Sequence, residues 1–256
     1  MQDNRRSSLR LDATQKEAPK PEPEENAETD QDSGQEENAD LSVVEPEARR
    51  TALFFDRFAE TKISDKRLPH WKQDGKLYFV TWRQADSIPR KKRDQLKRER
   101  AAWFEYHGGI QLKDLPLGTR MEYYRLFDAR VQQWLDAGYG SCVLKHPGPR
   151  QIMIDALHHF NNTRYRLGSF AIAGNHVHVL VAPDPGIELT AITHSWKSFT
   201  ANAINKRLSR SGHLWQFESY DHLVRNAEEL ERIEKYILDH VDQGGLVEQR
   251  TLDTER

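Results

Sequence analysis

The chain of 256 residues carries 38 Lys and Arg against 40 Asp and Glu, 37% apolar residues and a single cysteine. A lone cysteine excludes an intrachain disulfide framework, and no stretch approaches the roughly 20 consecutive apolar residues that a membrane-spanning helix needs. The first residues lack the apolar segment of a secretory signal. The composition therefore predicts a cytoplasmic protein with room for one sizeable domain.

The charge is unevenly distributed along the chain. Residues 1–50 hold 14 acidic and 7 basic side chains, whereas the remainder holds 26 acidic and 31 basic ones together with all 11 histidines. Residues 16–47 contain no aromatic residue and are rich in Glu, Asp, Gln, Asn and Pro, so they cannot bury enough apolar surface to offset the entropy of ordering. We therefore predict a disordered acidic tail over residues 1–48 and a folded, mildly basic domain over residues 49–250.

The folded part opens with a strand and two helices. Aromatic and β-branched residues from Leu77 to Trp82 indicate a buried strand. A helix follows that has seven basic residues between Arg90 and Arg100, and a second helix is predicted from Met121 to Ala137. A turn rich in glycine and proline then precedes a third helix over residues 150–162.

The second half of the domain alternates strands and helices. Residues 165–186 alternate like two strands around a turn at Gly174 and Asn175. A long helix (189–210), a short strand (220–225) and a charged helix (227–241) follow. With the helices at about residues 90–147 set aside as an insertion, the order is that of a ferredoxin-like α+β fold, βαββαβ with a C-terminal helix added. Such a fold has an antiparallel sheet with helices on one face and the other face free.

The sharpest candidates for chemistry are His176 and His178. Residues i and i+2 of a strand point to the same face, so the two imidazoles stand side by side. Two adjacent imidazoles suit a divalent metal, although most such pairs on strands are ordinary half-exposed histidines. The last helix offers further groups, because Tyr236 and His240 lie four residues apart and share one helix face.

Four segments in order resemble one family. The chain from Leu77 to Val247 resembles the REP-associated tyrosine transposases, relatives of the single-tyrosine insertion-sequence transposases in the HUH nuclease superfamily. The resemblance covers about two thirds of the chain. It rests on the combination of NHVHVLV, HSWKSFTANAINK, SGHLWQFESYDHLVR and EELERIEKYILDH.

The resemblance implies that His176 and His178 bind the catalytic metal. It also implies that Tyr236 attacks a phosphodiester of single-stranded DNA, leaving a covalent 5′-phosphotyrosine and a free 3′-hydroxyl. The family typically has Gln or Asn four residues after this tyrosine, in this branch with Pro next. This chain has His240 there, followed by Val241.

The departure at His240 bears on the metal. Imidazole can replace an amide oxygen as a ligand but favours softer metals than magnesium, which makes manganese or zinc more plausible. We expect magnesium or manganese, with zinc less favoured, and His240 as the third ligand. A phenol with a pKa near 10 needs such a cation close by to favour its phenolate.

Basic and aromatic residues are the candidates for DNA binding, because positive side chains follow a phosphate backbone and aromatic rings stack on bases. Solvated helix faces and core tryptophans are the competing interpretation. Tyr220 lies in a motif that tolerates other aromatics in relatives, so we assign it to the sheet or to DNA contact and not to catalysis. The candidates are Arg83, Arg90, Lys91, Lys92, Arg93, Lys197, Trp215, Tyr220 and His222.

Three functions are compatible with these residues. The leading hypothesis is a metal-dependent HUH endonuclease and strand transferase for single-stranded or hairpin DNA, with no membrane association and no obligate protein partner. The second is a domesticated descendant that binds structured DNA without cleaving it, because the Asn-Pro pair is missing. The third is an unrelated metal-dependent hydrolase that uses water and does not require Tyr236.

Overall fold

The computed structural model describes residues 52–65 and 69–252, so the predicted acidic tail lies outside the described residues. None of the helices in these ranges is long and apolar enough to cross a membrane. The strands are β1 (Lys62–Asp65), β2 (Pro69–Lys72), β3 (Tyr78–Arg83), β4 (Tyr165–Ile172), β5 (His176–Pro183), β6 (Tyr220–Leu223) and β7 (Leu246–Glu248). The α-helices are α1 (Arg90–Tyr106), α2 (Leu117–Asp136), α3 (Pro147–His159), α4 (Leu189–Arg207) and α5 (Ala227–Leu238).

The central sheet has five antiparallel strands in the order β6-β3-β5-β4-β7. Without the edge strand β7, this is the strand order 4-1-3-2 of the predicted ferredoxin-like fold, which is thereby confirmed. A separate antiparallel pair, β1 and β2, precedes the sheet. The sequence prediction missed this pair and also β7, which follows Gly244 and Gly245, the glycines at which we expected the last helix to end.

Both faces of the sheet are covered around β5, and all eight residues of that strand are buried. Val177, Val179 and Val181 point to the face that α3 and α4 cover, where they pack with side chains such as Met153 and Trp196. Alternation along the strand then sends His176, His178 and Leu180 to the opposite face. The two histidines are therefore inside the protein and not on an open surface.

The expectation that the second face of the sheet is free is wrong. Leu230 and Ile237 of α5 pack there in one cluster with Phe79, Ala171 and Leu180 of the sheet. The amphipathic pattern of α5 dictates this position, because its apolar stripe would otherwise remain in water. The same packing lays the rest of the inner face of α5 over the histidines of β5.

The inserted helices α1 and α2 pack against each other more than against the sheet. No residue of α1 is fully buried, and its Trp103 contacts Tyr123 of α2 with 4.9 Å between ring centroids. At the end of this insertion α3 begins at Pro147, three residues earlier than predicted. Proline fits the first turn of a helix because the amide it lacks has no partner there.

The amino-terminal cap of α5 provides a test of how the helix is held. The side-chain oxygen of Asn226 accepts a hydrogen bond of 2.8 Å from the backbone N–H of Glu229. We expect Asn226→Ala to lower the free energy of unfolding by about 1 kcal/mol, measured by urea denaturation. Asn226→Asp keeps the acceptor and serves as the matched control. Equal stability of all three proteins would contradict this role for the cap.

Candidate active site

The strand pairing of β3 with β5 orients the two histidines. Arg83 is directly opposite His176, and Thr81 is directly opposite His178, so the members of each pair point to the same face. The hydroxyl oxygen of Thr81 lies 2.7 Å from Nδ1 of His178. His176 and His178 are 1% and 0% exposed, which leaves their rings little freedom to turn.

Hydrogen bonds fix which ring nitrogen of His176 and His240 carries a proton. Nδ1 of His176 lies 2.7 Å from the side-chain oxygen of Asn175, and Nδ1 of His240 lies 2.8 Å from the backbone oxygen of Tyr236. These oxygens only accept, so both Nδ1 atoms donate and both neutral rings keep a lone pair on Nε2. A second partner of this kind is typical of histidines that bind metals.

The three imidazoles converge on one point. One ligand atom each from His176, His178 and His240 lies within 4.8 Å of the others, and all three side chains are buried. The Nε2 atoms of His176 and His240 are 3.4 Å apart. Donor atoms bound to one tetrahedral ion at about 2.1 Å are also about 3.4 Å apart, so this group fits a divalent metal.

Burial keeps the two strand histidines neutral. It lowers the pKa of His176 to about 3, with His240 adding to the effect and the carboxylate of Asp136 opposing it. The pKa of His178 is also well below its usual range, chiefly through burial and then through the other two imidazoles. Neutral imidazole is the form that binds a metal, so no proton has to be displaced at neutral pH.

Tyr236 lies beside the histidines of its own chain. Its hydroxyl is 3.3 Å from Nε2 of His178 and 3.2 Å from the side-chain oxygen of Gln132. Its ring meets Phe79 edge-on with 6.1 Å between centroids. Burial and, to a smaller extent, Asp136 raise the pKa of the phenol, so the hydroxyl is protonated in this environment. The structure thus brings Tyr236 together with the three predicted metal ligands.

Two residues near the histidines were missed by the sequence analysis, namely Gln132 and Asp136 of α2. One carboxylate oxygen of Asp136 lies 3.7 Å from Nε2 of both His176 and His240. Their spacing of four residues places Gln132 and Asp136 on one helix face. Nothing local to the sequence indicated that the end of an inserted helix returns to the sheet.

Among the basic candidates, Arg83 lies closest to the histidines in the sheet. Its guanidinium is half-buried and donates to the hydroxyl of Ser87 at 3.1 Å. Burial and the nearby positive charge of Arg93 lower the pKa of Arg83 to about 10. In residues 52–65 and 69–252 no carboxylate lies within ion-pair distance of this group. Arg83 therefore presents an uncompensated positive charge beside His176.

The four basic residues at the start of α1 differ in their exposure and in their contacts with other side chains. Lys91 and Arg93 are exposed. Arg90 lies 3.9 Å from a carboxylate oxygen of Asp94, and the ammonium of Lys92 lies 4.8 Å from the ring centroid of Trp134. Lys91 and Arg93 are therefore the better placed of the four for a phosphate backbone.

Two candidates for DNA contact make hydrogen bonds within the protein. Trp215 is 7% exposed, and its indole N–H donates to the hydroxyl of Thr200 at 2.9 Å. Its ring belongs to the core and is not available for base stacking, which corrects that prediction. Lys197 is half-buried and donates to the backbone oxygen of Phe217 at 2.7 Å and to the hydroxyl of Ser219. Its ammonium holds the loop before β6, and its contact with a DNA phosphate stays a prediction.

The remaining candidates lie on β6. Nε2 of His222 is 3.0 Å from a carboxylate oxygen of Glu229, so this histidine links β6 to α5, and its contact with DNA stays a prediction. Tyr220 is half-buried and lines an open cavity of about 670 Å³ between β6 and α2. Tyr220 therefore borders an open cavity, and its contact with DNA stays a prediction.

Comparisons with known proteins find one family model and one solved structure that are similar to this chain. Residues 151–240 match the family model for IS200-like transposases, a segment that runs from α3 to the third histidine. The match confirms the resemblance inferred from the sequence. Among solved structures, a REP-associated tyrosine transposase bound to a REP hairpin is similar at 13% identity, with 71% of this chain and 74% of that chain covered and a TM-score of 0.38. No curated protein gives a significant match.

The low pKa of His176 predicts a pH dependence of folding. The unfolded chain takes up a proton on this residue below its ordinary pKa of 6.5, whereas the folded, metal-free protein does not until about pH 3. Stability should therefore fall as the pH drops below 6.5, by at most roughly 1.4 kcal/mol per pH unit for each such histidine.

The test is chemical denaturation of the metal-free protein between pH 7 and pH 4.5. His176→Asn should flatten the dependence, whereas His213→Asn, which alters an exposed histidine, should leave it unchanged. An identical slope for His176→Asn and the wild type would contradict the assignment.

Proposed function

We propose that the protein is a metal-dependent endonuclease and strand transferase that acts on single-stranded or hairpin DNA through Tyr236. The coarser assignment, a transposase-like role, follows from the family match over residues 151–240. The single observation that carries the finer one is the 3.3 Å between the Tyr236 hydroxyl and Nε2 of His178, inside a group of three buried imidazoles. A water-dependent hydrolase does not require a tyrosine in this position, whereas the strand transferase does.

His176, His178 and His240 would hold a divalent metal through their Nε2 atoms. When bound, the metal supplies positive charge that polarises the scissile phosphate and favours the phenolate over the phenol. Three nitrogen ligands suit manganese better than magnesium, which prefers oxygen. The fixed Nδ1 hydrogen bonds of His176 and His240 keep their donor atoms aimed at this point.

The proposed reaction uses the tyrosine oxygen as nucleophile. The oxygen of Tyr236 loses its proton and bonds to the phosphorus, and the bond between the phosphorus and the 3′-oxygen breaks. The departing 3′-oxygen takes up a proton, and the phosphorus stays bonded to tyrosine as a 5′-phosphodiester. Because the covalent bond is conserved, a second 3′-hydroxyl can attack it and restore Tyr236 without an external energy source.

The proposed path of the DNA follows the uncompensated positive charge. Arg83 faces the same side of the sheet as His176, where its guanidinium would bind a phosphate next to the scissile one. Arg93 lowers the pKa of Arg83, so the start of α1 extends this positive region outward. The backbone would then run from Arg83 along the exposed Lys91 and Arg93.

The first prediction concerns the nucleophile. Incubation of the wild-type protein with Mn²⁺ and a labelled hairpin oligonucleotide carrying a single-stranded flank should give a protein–DNA adduct that survives denaturing electrophoresis. Tyr236→Phe removes the attacking oxygen and should abolish the adduct. Tyr220→Phe alters the other tyrosine near the sheet surface and should still form it at saturating protein. Cleavage by Tyr236→Phe would indicate attack by water, and binding without cleavage by the wild type would indicate a DNA-binding module; either result contradicts the proposal.

The second prediction concerns the backbone contacts. The double variant Lys91→Gln, Arg93→Gln should bind the same oligonucleotide more weakly, and the slope of log affinity against log salt should fall by about 0.7 per lost contact with single-stranded DNA. Fluorescence anisotropy between 50 and 300 mM salt measures both. Lys206→Gln removes an exposed charge on α4, which covers the opposite face of the sheet, and is the control. An unchanged salt slope in the double variant would place the DNA elsewhere.

A further inference from the structure

The carboxylate of Asp136 stands in an unusual electrostatic position. Asp136 is the last residue of α2, where the helix dipole disfavours a negative charge. In the part of the chain that the structure describes, no Lys or Arg lies within ion-pair distance of it. Its nearest polar neighbours are the Nε2 atoms of the neutral imidazoles of His176 and His240, each at 3.7 Å from one carboxylate oxygen. A carboxylate and two unprotonated Nε2 atoms therefore lie together with no cation of the chain between them, an arrangement that a bound metal ion would complete.

We propose that Asp136 is the fourth protein ligand of the metal, contributed by the inserted helix α2. This inference rests on the proposed function and extends it. The distances of 3.7 Å from its oxygen to the two Nε2 atoms are close to the separation of about 3.4 Å expected for ligands of one tetrahedral ion. Asp136 lies outside the group of three imidazole atoms that are within 4.8 Å of one another, and its carboxylate, 28% exposed at the side chain, has to turn toward His178 to complete the set.

The proposal accounts for the unusual residue at position 240. An amide oxygen, the ligand that the sequence resemblance led us to expect there, is replaced by the imidazole nitrogen of His240. Asp136 returns an oxygen ligand to the group and adds a negative charge, both of which favour manganese or magnesium over softer metals. A ligand set of three imidazole nitrogens and one carboxylate oxygen thus restores the oxygen ligand that is lost when His240 takes the place of the amide.

The same helix end also bears on the nucleophile. Gln132 lies one turn before Asp136, and its side-chain oxygen is 3.2 Å from the Tyr236 hydroxyl. Gln132 is in this account a positioning residue, because it accepts from the phenol and touches no reacting phosphate. A single rigid element therefore sets the metal and the tyrosine relative to each other, and the insertion becomes part of the active site.

The test is the affinity of the full-length, EDTA-stripped protein for Mn²⁺, measured by isothermal titration calorimetry and by the loss of the free Mn²⁺ signal in electron paramagnetic resonance. Asp136→Asn should weaken binding about tenfold or more. Asp239→Asn is the matched control, because this exposed carboxylate is next to His240 in sequence and its removal changes the net charge by the same amount as Asp136→Asn. The Mn²⁺ affinity of Asp239→Asn should stay within about twofold of the wild-type affinity.

A second readout separates coordination from folding. Asp136→Asn keeps the side-chain shape and removes a charge from a helix carboxyl end, so the metal-free variant should melt at or above the wild-type temperature. The variant should also lose preference for Mn²⁺ over Zn²⁺ in competition titrations, which an altered fold alone would not produce.

The outcomes distinguish this inference from the one on which it rests. If the wild type binds Mn²⁺ and forms the DNA adduct while Asp136→Asn binds Mn²⁺ within twofold of it, Asp136 is not a ligand and only this inference is overturned. If Asp136→Asn and Asp239→Asn weaken Mn²⁺ binding equally, the loss of affinity comes from the change in net charge and not from a lost ligand. That result also overturns this inference. If the wild type binds no Mn²⁺, both this inference and the proposed function fail.

Discussion

The antiparallel pairing of β5 with β3 is the constraint on which the rest of the candidate site depends. It places Thr81 opposite His178 and Arg83 opposite His176, so one strand supplies the imidazoles and its neighbour supplies an orienting hydroxyl and a positive charge. A slip of one residue would turn both histidines toward the valine core. The valines of β5, packed beneath α3 and α4, therefore hold the register that the histidines need.

The second constraint is the packing of α5 against the opposite face of the sheet. Leu230 and Ile237 anchor the helix on an apolar cluster, and the residues beside Ile237 then reach the histidines. Tyr236 and His240 follow from the helical repeat once that anchor is set. Apolar packing and polar chemistry thus share one helix, which brings all four groups together within the same chain.

Local periodicity and the family resemblance together account for what the sequence could predict. The period of two along β5 placed His176 and His178 on one face, the spacing of four along α5 placed Tyr236 and His240 on one face, and the resemblance implied that the two pairs form one site. Tertiary placement accounts for what it could not. Asp136 belongs to a helix whose path back to the sheet leaves no local pattern, and Trp215 is buried although its residue type alone fits base stacking equally well. The face expected to be free is covered because α5 has an apolar stripe to bury.

Diffraction from crystals of the full-length protein grown with Mn²⁺, recorded at a wavelength where manganese scatters anomalously, tests the central claim most directly. The account predicts one strong anomalous peak at about 2.0–2.3 Å from the Nε2 atoms of His176, His178 and His240, with the Tyr236 hydroxyl facing it. A peak bound by other residues, or an ordered histidine group without one at saturating Mn²⁺, would contradict the claim that these imidazoles form the metal centre.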